Sequence, residues 1–373
     1  LWISDGTQSG TLLVKDINSG SGDSSPLWLV PSEAKDIVFF NANDGINGAE
    51  LWKTDGSESG TILVKDINPG SSNSFPTDIV QIGNNWFFAA DDGTNGNELW
   101  KTDGSESGTV LVKDINPGNS NSSPGTVGGY EFNGKLLFTA NDGTHGEELW
   151  ISDGTESGTI LLKDINPGGG GSSPLWLIPS PEGGNTVFFR ADDGTNGIEL
   201  WKTDGTESGT VLVKDINSGG SSTPHGLSAV GNNIVFAADD GNNGEEIWIS
   251  DGTEPGTVLI KDINSGSSGS SISSGVAISD KVFFRADDGT NGAELWIVDE
   301  AFFITRSSES AGDETSSKAI NENTTISGDT SLGNLTENQI YNFDGTYKSD
   351  TTISFNLSEE TNILIELSNL IDD

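Results

Sequence analysis

The chain has 373 residues, with 17 Lys and Arg against 57 Asp and Glu, so its formal net charge is −40. Such a charge opposes binding to nucleic acid and insertion into anionic membranes, because both repel a polyanion. Cysteine is absent, which excludes disulfides, thiol catalysis and cysteine-ligated metal sites. Sixteen Phe and ten Trp supply the apolar surface that disordered chains lack, so we expect the chain to fold.

A repeat of about 48 residues organises the first 300 residues. Its mark is a Leu-Trp or Ile-Trp pair, and the steps between successive tryptophans are 50, 48, 50, 51, 47 and 48 residues. We predict structural roles for the seven tryptophans of these pairs: Trp2, Trp52, Trp100, Trp150, Trp201, Trp248 and Trp296. Since the chain opens inside a repeat, we expect the rest of that repeat and a secretion leader to precede Leu1.

Each repeat divides into four short strands separated by turn residues. In the unit after Trp201 the predicted strands are 226–230, 233–237, 245–250 and 257–263. Four strands in about 48 residues are typical of one blade of a β-propeller. Leu99 and Trp100 are adjacent, so a strand directs them to opposite faces, and both faces need a covering blade. We therefore predict an all-β propeller whose ring closure buries the seven tryptophans.

The blade count depends on the two ends of the repeat region. The sequence predicts six full blades plus one partial blade over residues 1–306, with 301–306 as the last outer strand. Seven blades is the favoured interpretation, and a six-bladed ring with a loose half repeat is the alternative. Residues 307–321 have the composition of an acidic, Ser/Thr-rich linker, and 322–373 alternate as a small, incomplete β module.

The repeat resembles a bacterial family named after its Glu-Leu-Trp-x-x-Asp-Gly-Thr signature, which stands almost literally at 148–155 and 199–206. The resemblance covers about residues 1–300 and implies a large secreted or surface-associated protein with propeller architecture and no established catalytic residue. The terminal module resembles the first half of a bacterial pre-peptidase C-terminal domain, a β-sandwich, through Gly333-Asn334-Leu335-Thr336 and Thr352-Ile353-Ser354-Phe355.

The loop between the second and third strands of each unit is dense in Asp, Asn, Thr and Glu, the oxygen ligands that Ca²⁺ prefers. The alternative is a purely structural tight turn, since Asp-Gly and Asn-Gly favour positive φ. The candidate calcium ligands are Asp44, Glu50, Asp91, Asp92, Glu98, Asp142, Glu148, Asp192, Asp193, Glu199, Asp239, Asp240, Glu246, Asp287, Asp288 and Glu294.

Other polar residues receive structural interpretations. The Asp-Gly turn at 102–109 predicts an Asp side chain that caps local amides. The Lys-Asp pair of each unit, such as Lys113-Asp114, predicts an inter-blade charge pair or a solvated edge. His145 and His225 are single residues that do not recur with the repeat, and His145, which stands where the sister loops have Asn, is predicted to be a tolerated surface substitution. Trp28 and Trp176 break the repeat and are expected to be exposed.

These patterns lead to three functional hypotheses. The first is a non-enzymatic, extracellular structural or adhesive surface protein, whose propeller is an interaction scaffold that assembles into larger structures. The alternatives are a calcium-dependent carbohydrate-binding propeller and a polysaccharide hydrolase. The expected partners are further copies of the chain, other surface proteins or glycans, and the expected location is extracellular or on the cell surface.

Overall fold

A computed structural model describes residues 1–125, 129–180 and 185–299, and all regular structure within these ranges is β-strand. The predicted outer strand 301–306, the linker 307–321 and the β module 322–373 lie outside the described residues. The described strands form antiparallel sheets that follow one another along the chain without crossing over.

The sheets are successive propeller blades. A half blade has two strands, β1 (Trp2–Ile3) and β2 (Leu12–Leu13). Blades 1 to 5 have four strands each: β3 (Leu27–Pro31), β4 (Val38–Asn43), β5 (Ala49–Thr54), β6 (Ile62–Lys65); β7 (Thr77–Ile82), β8 (Asn85–Asp91), β9 (Asn97–Thr102), β10 (Val110–Lys113); β11 (Tyr130–Phe132), β12 (Lys135–Asn141), β13 (Glu147–Ser152), β14 (Ile160–Lys163); β15 (Leu175–Pro179), β16 (Val187–Asp192), β17 (Ile198–Thr203), β18 (Val211–Lys214); β19 (His225–Val230), β20 (Asn233–Asp239), β21 (Glu245–Ser250), β22 (Val258–Lys261). Blade 6 has three described strands, β23 (Val276–Ile278), β24 (Lys281–Asp287) and β25 (Ala293–Asp299).

The predicted propeller is confirmed, and the four strands predicted for the unit after Trp201 match β19 to β22 within two residues at each end. The first strands of consecutive blades lie against one another, for example β3 against β7 and β15 against β19. The first strands are therefore the innermost ones and surround the central channel, and the fourth strands lie at the periphery.

The hydrophobic core is a series of clusters between blades. Between blades 2 and 3, Phe87 and Leu99 pack with Phe138 and Trp150. Trp100, next to Leu99 in sequence, packs instead in the cluster shared with blade 1. The opposite directions predicted for Leu99 and Trp100 are thus confirmed. Burial of one such large apolar side chain is worth about 1.5–3 kcal/mol, and the interface recurs along the array.

The two end sheets differ from this pattern. Trp2 is 66% exposed, although Trp52, Trp100, Trp150, Trp201 and Trp248 are buried, and Trp296 is partly exposed. The prediction that ring closure buries all seven tryptophans is therefore wrong for Trp2, because no described blade covers that face of the half blade. The far face of blade 6, with Phe283 and Leu295, is partly exposed for the same reason.

Candidate functional site

The two ends of the blades carry different loops. Because neighbouring strands run antiparallel, the loops between second and third strands and the linkers between blades share one end, here called the Asx-turn end. The other end, here called the Asp-Gly end, carries the loops between first and second and between third and fourth strands. The candidate calcium loops all lie at the Asx-turn end.

The paired acidic residues of these loops cap the loops' own amides. In blade 5, Oδ1 of Asp240 accepts hydrogen bonds from the amides of Asn242 (2.9 Å) and Asn243 (2.8 Å), and its Oδ2 accepts one from Nδ2 of Asn243 (2.8 Å). Oδ1 of Asp239 accepts one from the amide of Gly241 (2.7 Å). Burial raises the pKa of Asp240, but these hydrogen bonds outweigh it, so that the pKa lies below its ordinary value. The loops are therefore self-contained Asx turns.

The sister loops have the same arrangement. In each, the aspartate directly before the glycine accepts from the amides two and three positions on and from the side chain three positions on: Asp44, Asp92, Asp142, Asp193 and Asp288. In blade 3 that side chain is His145, whose Nδ1 lies 2.7 Å from Oδ2 of Asp142. This contact raises the pKa of His145 and gives the histidine the place that Asn has elsewhere.

The glutamate of each signature points away from the Asx turn and into its own blade. The carboxylate of Glu98 accepts hydrogen bonds from the amides of Ile115 (2.7 Å) and Ser122 (2.9 Å) and from Oγ of Ser122 (2.6 Å). Burial raises the pKa of Glu98 to about 7, although the hydrogen bonds oppose this shift. Glu98 thus fastens the linker that follows β10 to the middle of its blade.

Four further glutamates repeat this contact with the linkers of their own blades and are fully buried: Glu50, Glu148, Glu199 and Glu246. Glu294 of blade 6 is exposed. The structure therefore does not bring the predicted Asp and Glu ligands together, and it holds no group of three His, Asp or Glu suited to a metal among residues 1–125, 129–180 and 185–299. Calcium binding at these loops stays a prediction.

At the Asp-Gly end, the turn after the third strand of blades 1 to 5 is capped by its aspartate. Oδ1 of Asp103 accepts from the amide (2.8 Å) and Oγ (2.6 Å) of Ser105, and these bonds hold the pKa of Asp103 below its ordinary value. A Cβ at Gly108 would lie 2.0 Å from Oδ1 of Asp103. A side chain at position 108 would therefore displace the Asp103 carboxylate from its bonds to Ser105.

The repeated lysines join neighbouring blades through carbonyls and indole rings, not through carboxylates. Nζ of Lys113 donates to the carbonyl of Thr159 in the next blade (2.8 Å) and lies 5.9 Å from the ring centre of Trp150. Lys65 makes the same two contacts with Thr109 and Trp100. The inter-blade position of these lysines agrees with the sequence-based prediction. Their partners are carbonyls and indole rings, and not the carboxylates of a charge pair.

Residues that break the repeat lie at the Asx-turn end of the first strands. There the innermost strands of blades 1, 2, 4 and 5 bulge, and the bulge begins with a residue at positive φ: Trp28 (57°), Asp78 (53°), Trp176 (62°) and Gly226 (63°). Trp28 is 55% exposed and Trp176 46% exposed, so the predicted exposure of both is confirmed. The same six-residue pattern, Pro-Leu-Trp-Leu, Val or Ile, then Pro, surrounds both tryptophans.

Blades 1 and 2 carry an apolar patch at this place, formed by Leu27, Trp28, Leu29 and Phe75. All four side chains are more than half exposed. Phe75 stands two residues before the first strand of blade 2, and its amide donates to the carbonyl of Ala49 in blade 1. The residues in the same position elsewhere are small and polar: Ser25, Ser123, Ser173, Thr223 and Ser271. Phe75 was missed in the sequence, although its departure from the repeat was the available signal.

The opposite side of the mouth, on blades 4 to 6, carries charged residues that also break the repeat. Arg190 donates from a terminal guanidinium nitrogen to the carbonyl of Pro224 (3.5 Å). Nε2 of His225 lies 3.8 Å from Oε2 of Glu245, whose Oε1 accepts from the amide of Ile272 (3.0 Å). Arg285 donates to the carbonyl of Ser271 (3.3 Å).

Comparison with known proteins finds similarity among solved structures alone. No family model and no curated protein matches the chain. A puromycin hydrolase structure aligns at 14% identity and TM-score 0.43, covering 76% of this chain and 44% of that one. A prolyl endopeptidase aligns at 12% identity and TM-score 0.44 (79% and 44%), and a Mycobacterium tuberculosis puromycin-hydrolyzing peptidase at 12% and 0.41 (73% and 42%).

This chain therefore spans less than half the length of those peptidases. The neighbours are described as peptidases, which disagrees with the prediction of a structural or adhesive surface scaffold, and that prediction is not carried further. At these identities the likeness shows the fold alone and assigns no activity to this chain. The resemblance to the Glu-Leu-Trp repeat family and the extracellular location stay predictions. The described residues contain no helix with the length and apolarity needed to cross a bilayer.

Proposed function

We propose that the propeller binds an extended peptide at the channel mouth of the Asx-turn end. In this proposal, apolar side chains of the peptide pack on Trp28, Phe75 and Trp176. The observation that carries it is the pair of half-exposed tryptophans held at positive φ on the innermost strands of blades 1 and 4.

The backbone at these positions argues for a role beyond folding. A bulky side chain at positive φ is a rare outlier and costs on the order of 1 kcal/mol or more. Blade 5 has Gly226 at the same bulge, so the fold needs no side chain there. Strain that the fold does not require is a recurring property of ligand-binding residues.

The surroundings of Trp28 favour a peptide over a sugar. Leu27 and Leu29 adjoin Trp28 in sequence and are also exposed, and neither side chain can hydrogen-bond to a sugar hydroxyl. The innermost strands have a strand partner along one edge only, so their other edge offers backbone groups to an extended chain. Large aromatic side chains in a partly desolvated setting are also the usual anchors of protein and peptide binding.

The neighbours in the structure comparison are peptidases by their descriptions, and that activity belongs to those proteins. The proposal brings peptides to this chain as a class of ligand and attributes no cleavage to it. Its support comes from the residues at the channel mouth.

The test is a printed array of random nine-residue peptides, probed with the fluorescently labelled 373-residue chain and its variants. Trp28→Gly and Phe75→Ser install the residues that the sister positions have, so both variants keep the backbone requirements of the fold. Ile62→Ala is the matched control, because Ile62 is 41% exposed on the peripheral strand β6.

We expect wild type and Ile62→Ala to bind the same apolar peptides, and Trp28→Gly and Phe75→Ser to lose at least tenfold in affinity. The proposal is overturned if no peptide binds the wild type, or if the three variants bind alike. Binding to a glycan array that depends on Trp28, without peptide binding, would also overturn it and favour a sugar ligand.

A further inference from the structure

Arginine is rare in this chain and occurs at a distinctive place. Only three of the 17 cationic residues are arginines, Arg190, Arg285 and Arg306, and the last lies outside the described residues. Arg190 and Arg285 occupy the same position, the fourth residue of a Val-Phe-Phe-Arg-Ala-Asp second strand, in blades 4 and 6. Elsewhere that position has small or neutral residues: Asn41, Ala89, Thr139 and Ala237.

Within the described part of the chain, both arginines lack a carboxylate partner. Among the described residues neither takes part in an ion pair, although the chain has 40 more negative than positive charges. Arg190 is partly buried, and burial lowers its pKa. Its hydrogen bond to the carbonyl of Pro224 is long, at 3.5 Å, and uses one of five guanidinium donors. An uncompensated, partly desolvated cation is costly to keep.

The same arginines face the region where the proposed peptide lies. Arg190 reaches the carbonyl of Pro224, next to His225 at the start of the innermost strand of blade 5. Arg285 reaches the carbonyl of Ser271, in the linker that leads to blade 6. Glu245 lies between these two points, bonded to the amide of Ile272 and beside His225, so it is already engaged.

We infer that Arg190, assisted by Arg285, binds a carboxylate group of the peptide ligand. The guanidinium fork matches a carboxylate in two parallel hydrogen bonds, a geometry that the ammonium of lysine does not reproduce. The inference rests on the proposed function, since it names the anchor for the polar end of a peptide whose apolar part packs on Trp28.

The test uses one apolar peptide chosen from the array and synthesised in three forms. The first has a free C-terminal carboxylate, the second a C-terminal amide, and the third an amide together with one internal Glu. Their Kd values are measured by fluorescence anisotropy with wild type, Arg190→Gln, Arg190→Lys and Lys135→Gln. Lys135 is exposed at the Asp-Gly end, so its variant removes the same charge far from the mouth.

We expect at least one carboxylate form to bind the wild type tenfold or more tightly than the plain amide. Arg190→Gln removes this advantage, Arg190→Lys restores it only in part, and Lys135→Gln leaves it unchanged. If the form with the free C-terminus binds more tightly, the anchor is a terminal carboxylate. If the amide with the internal Glu binds more tightly, the anchor is a side-chain carboxylate.

The inference is overturned if acid and amide bind the wild type alike, or if Arg190→Gln and Lys135→Gln have equal effects. In either of these cases, a loss of all peptide binding in the Trp28→Gly variant would still support the proposed peptide site. If no form binds the wild type, both the carboxylate anchor and the proposed function fail.

Discussion

Replacing Glu98 by alanine removes the acceptor that fastens the linker after β10 to blade 2. Two donors then lose their short contacts with the carboxylate, the amide of Ile115 and Oγ of Ser122. The amide and Oγ of Ser122 both keep a partner, because each also donates to the carbonyl of Asn97 (3.1 Å and 3.4 Å). The amide of Ile115 loses its acceptor, and a buried donor in that state costs about 1–3 kcal/mol, so we expect the free energy of unfolding to fall by about that amount.

The assay combines urea denaturation with hydrogen–deuterium exchange of the segment from Lys113 to Ser122. We expect a lower unfolding midpoint and faster exchange at the Ile115 amide. Glu294→Ala is the matched control, since Glu294 is exposed in blade 6 and should change stability by less than about 0.5 kcal/mol. Equal effects of the two variants, or unchanged exchange at Ile115, would refute the assigned role of Glu98.

Three further outcomes follow from the structure. Burial raises the pKa of Glu50 and Glu98 from 4.5 to about 7, so the folded chain binds protons more tightly than the unfolded chain. The free energy of unfolding should therefore fall as pH rises from about 4.5 to above 7. Glu98→Gln should make this fall smaller in urea titrations, and a pH profile identical to that of the wild type would contradict the raised pKa of Glu98. Gly108→Ala places a methyl group 2.0 Å from the Asp103 carboxylate and should cost about 1–3 kcal/mol in the same assay, whereas Gly169→Ala, with its nearest atom at 4.0 Å, should be neutral. Trp28→Gly relieves positive φ and should leave the melting temperature unchanged or higher; a marked decrease would assign the indole a structural role.

Adjacent apolar residues on the strands predicted the blade stacking, because the alternation of side chains along a strand is a local property. Leu99 and Trp100 had to face different neighbours, and they do. The same reasoning could not detect that Trp2 lacks a covering blade, because exposure depends on what lies beside the half blade in space.

The glutamate of the signature was placed with the acidic loop because the two are close in sequence. Its partners, Ile115 and Ser122, lie 17 and 24 residues after Glu98, and the strand direction turns the side chain toward them. A long-range contact of this kind leaves no mark in a local pattern.

The candidate binding site consists of exceptions to the repeat. Trp28 and Trp176 were noticed as exceptions in the sequence, whereas Phe75 and Arg190 were passed over because each is one change within an otherwise regular unit. A position-by-position comparison of the units would have identified both, since the sister residues at each position are small or neutral. Only the fold shows that these exceptions lie at the same end of their blades.

Calorimetric titration of the tightest array peptide into wild type, Ile62→Ala and Trp28→Gly tests the peptide site most directly. The account predicts equal Kd values for wild type and Ile62→Ala, and at least tenfold weaker binding for a Trp28→Gly variant that unfolds at the wild-type temperature. Equal binding by all three proteins would contradict it.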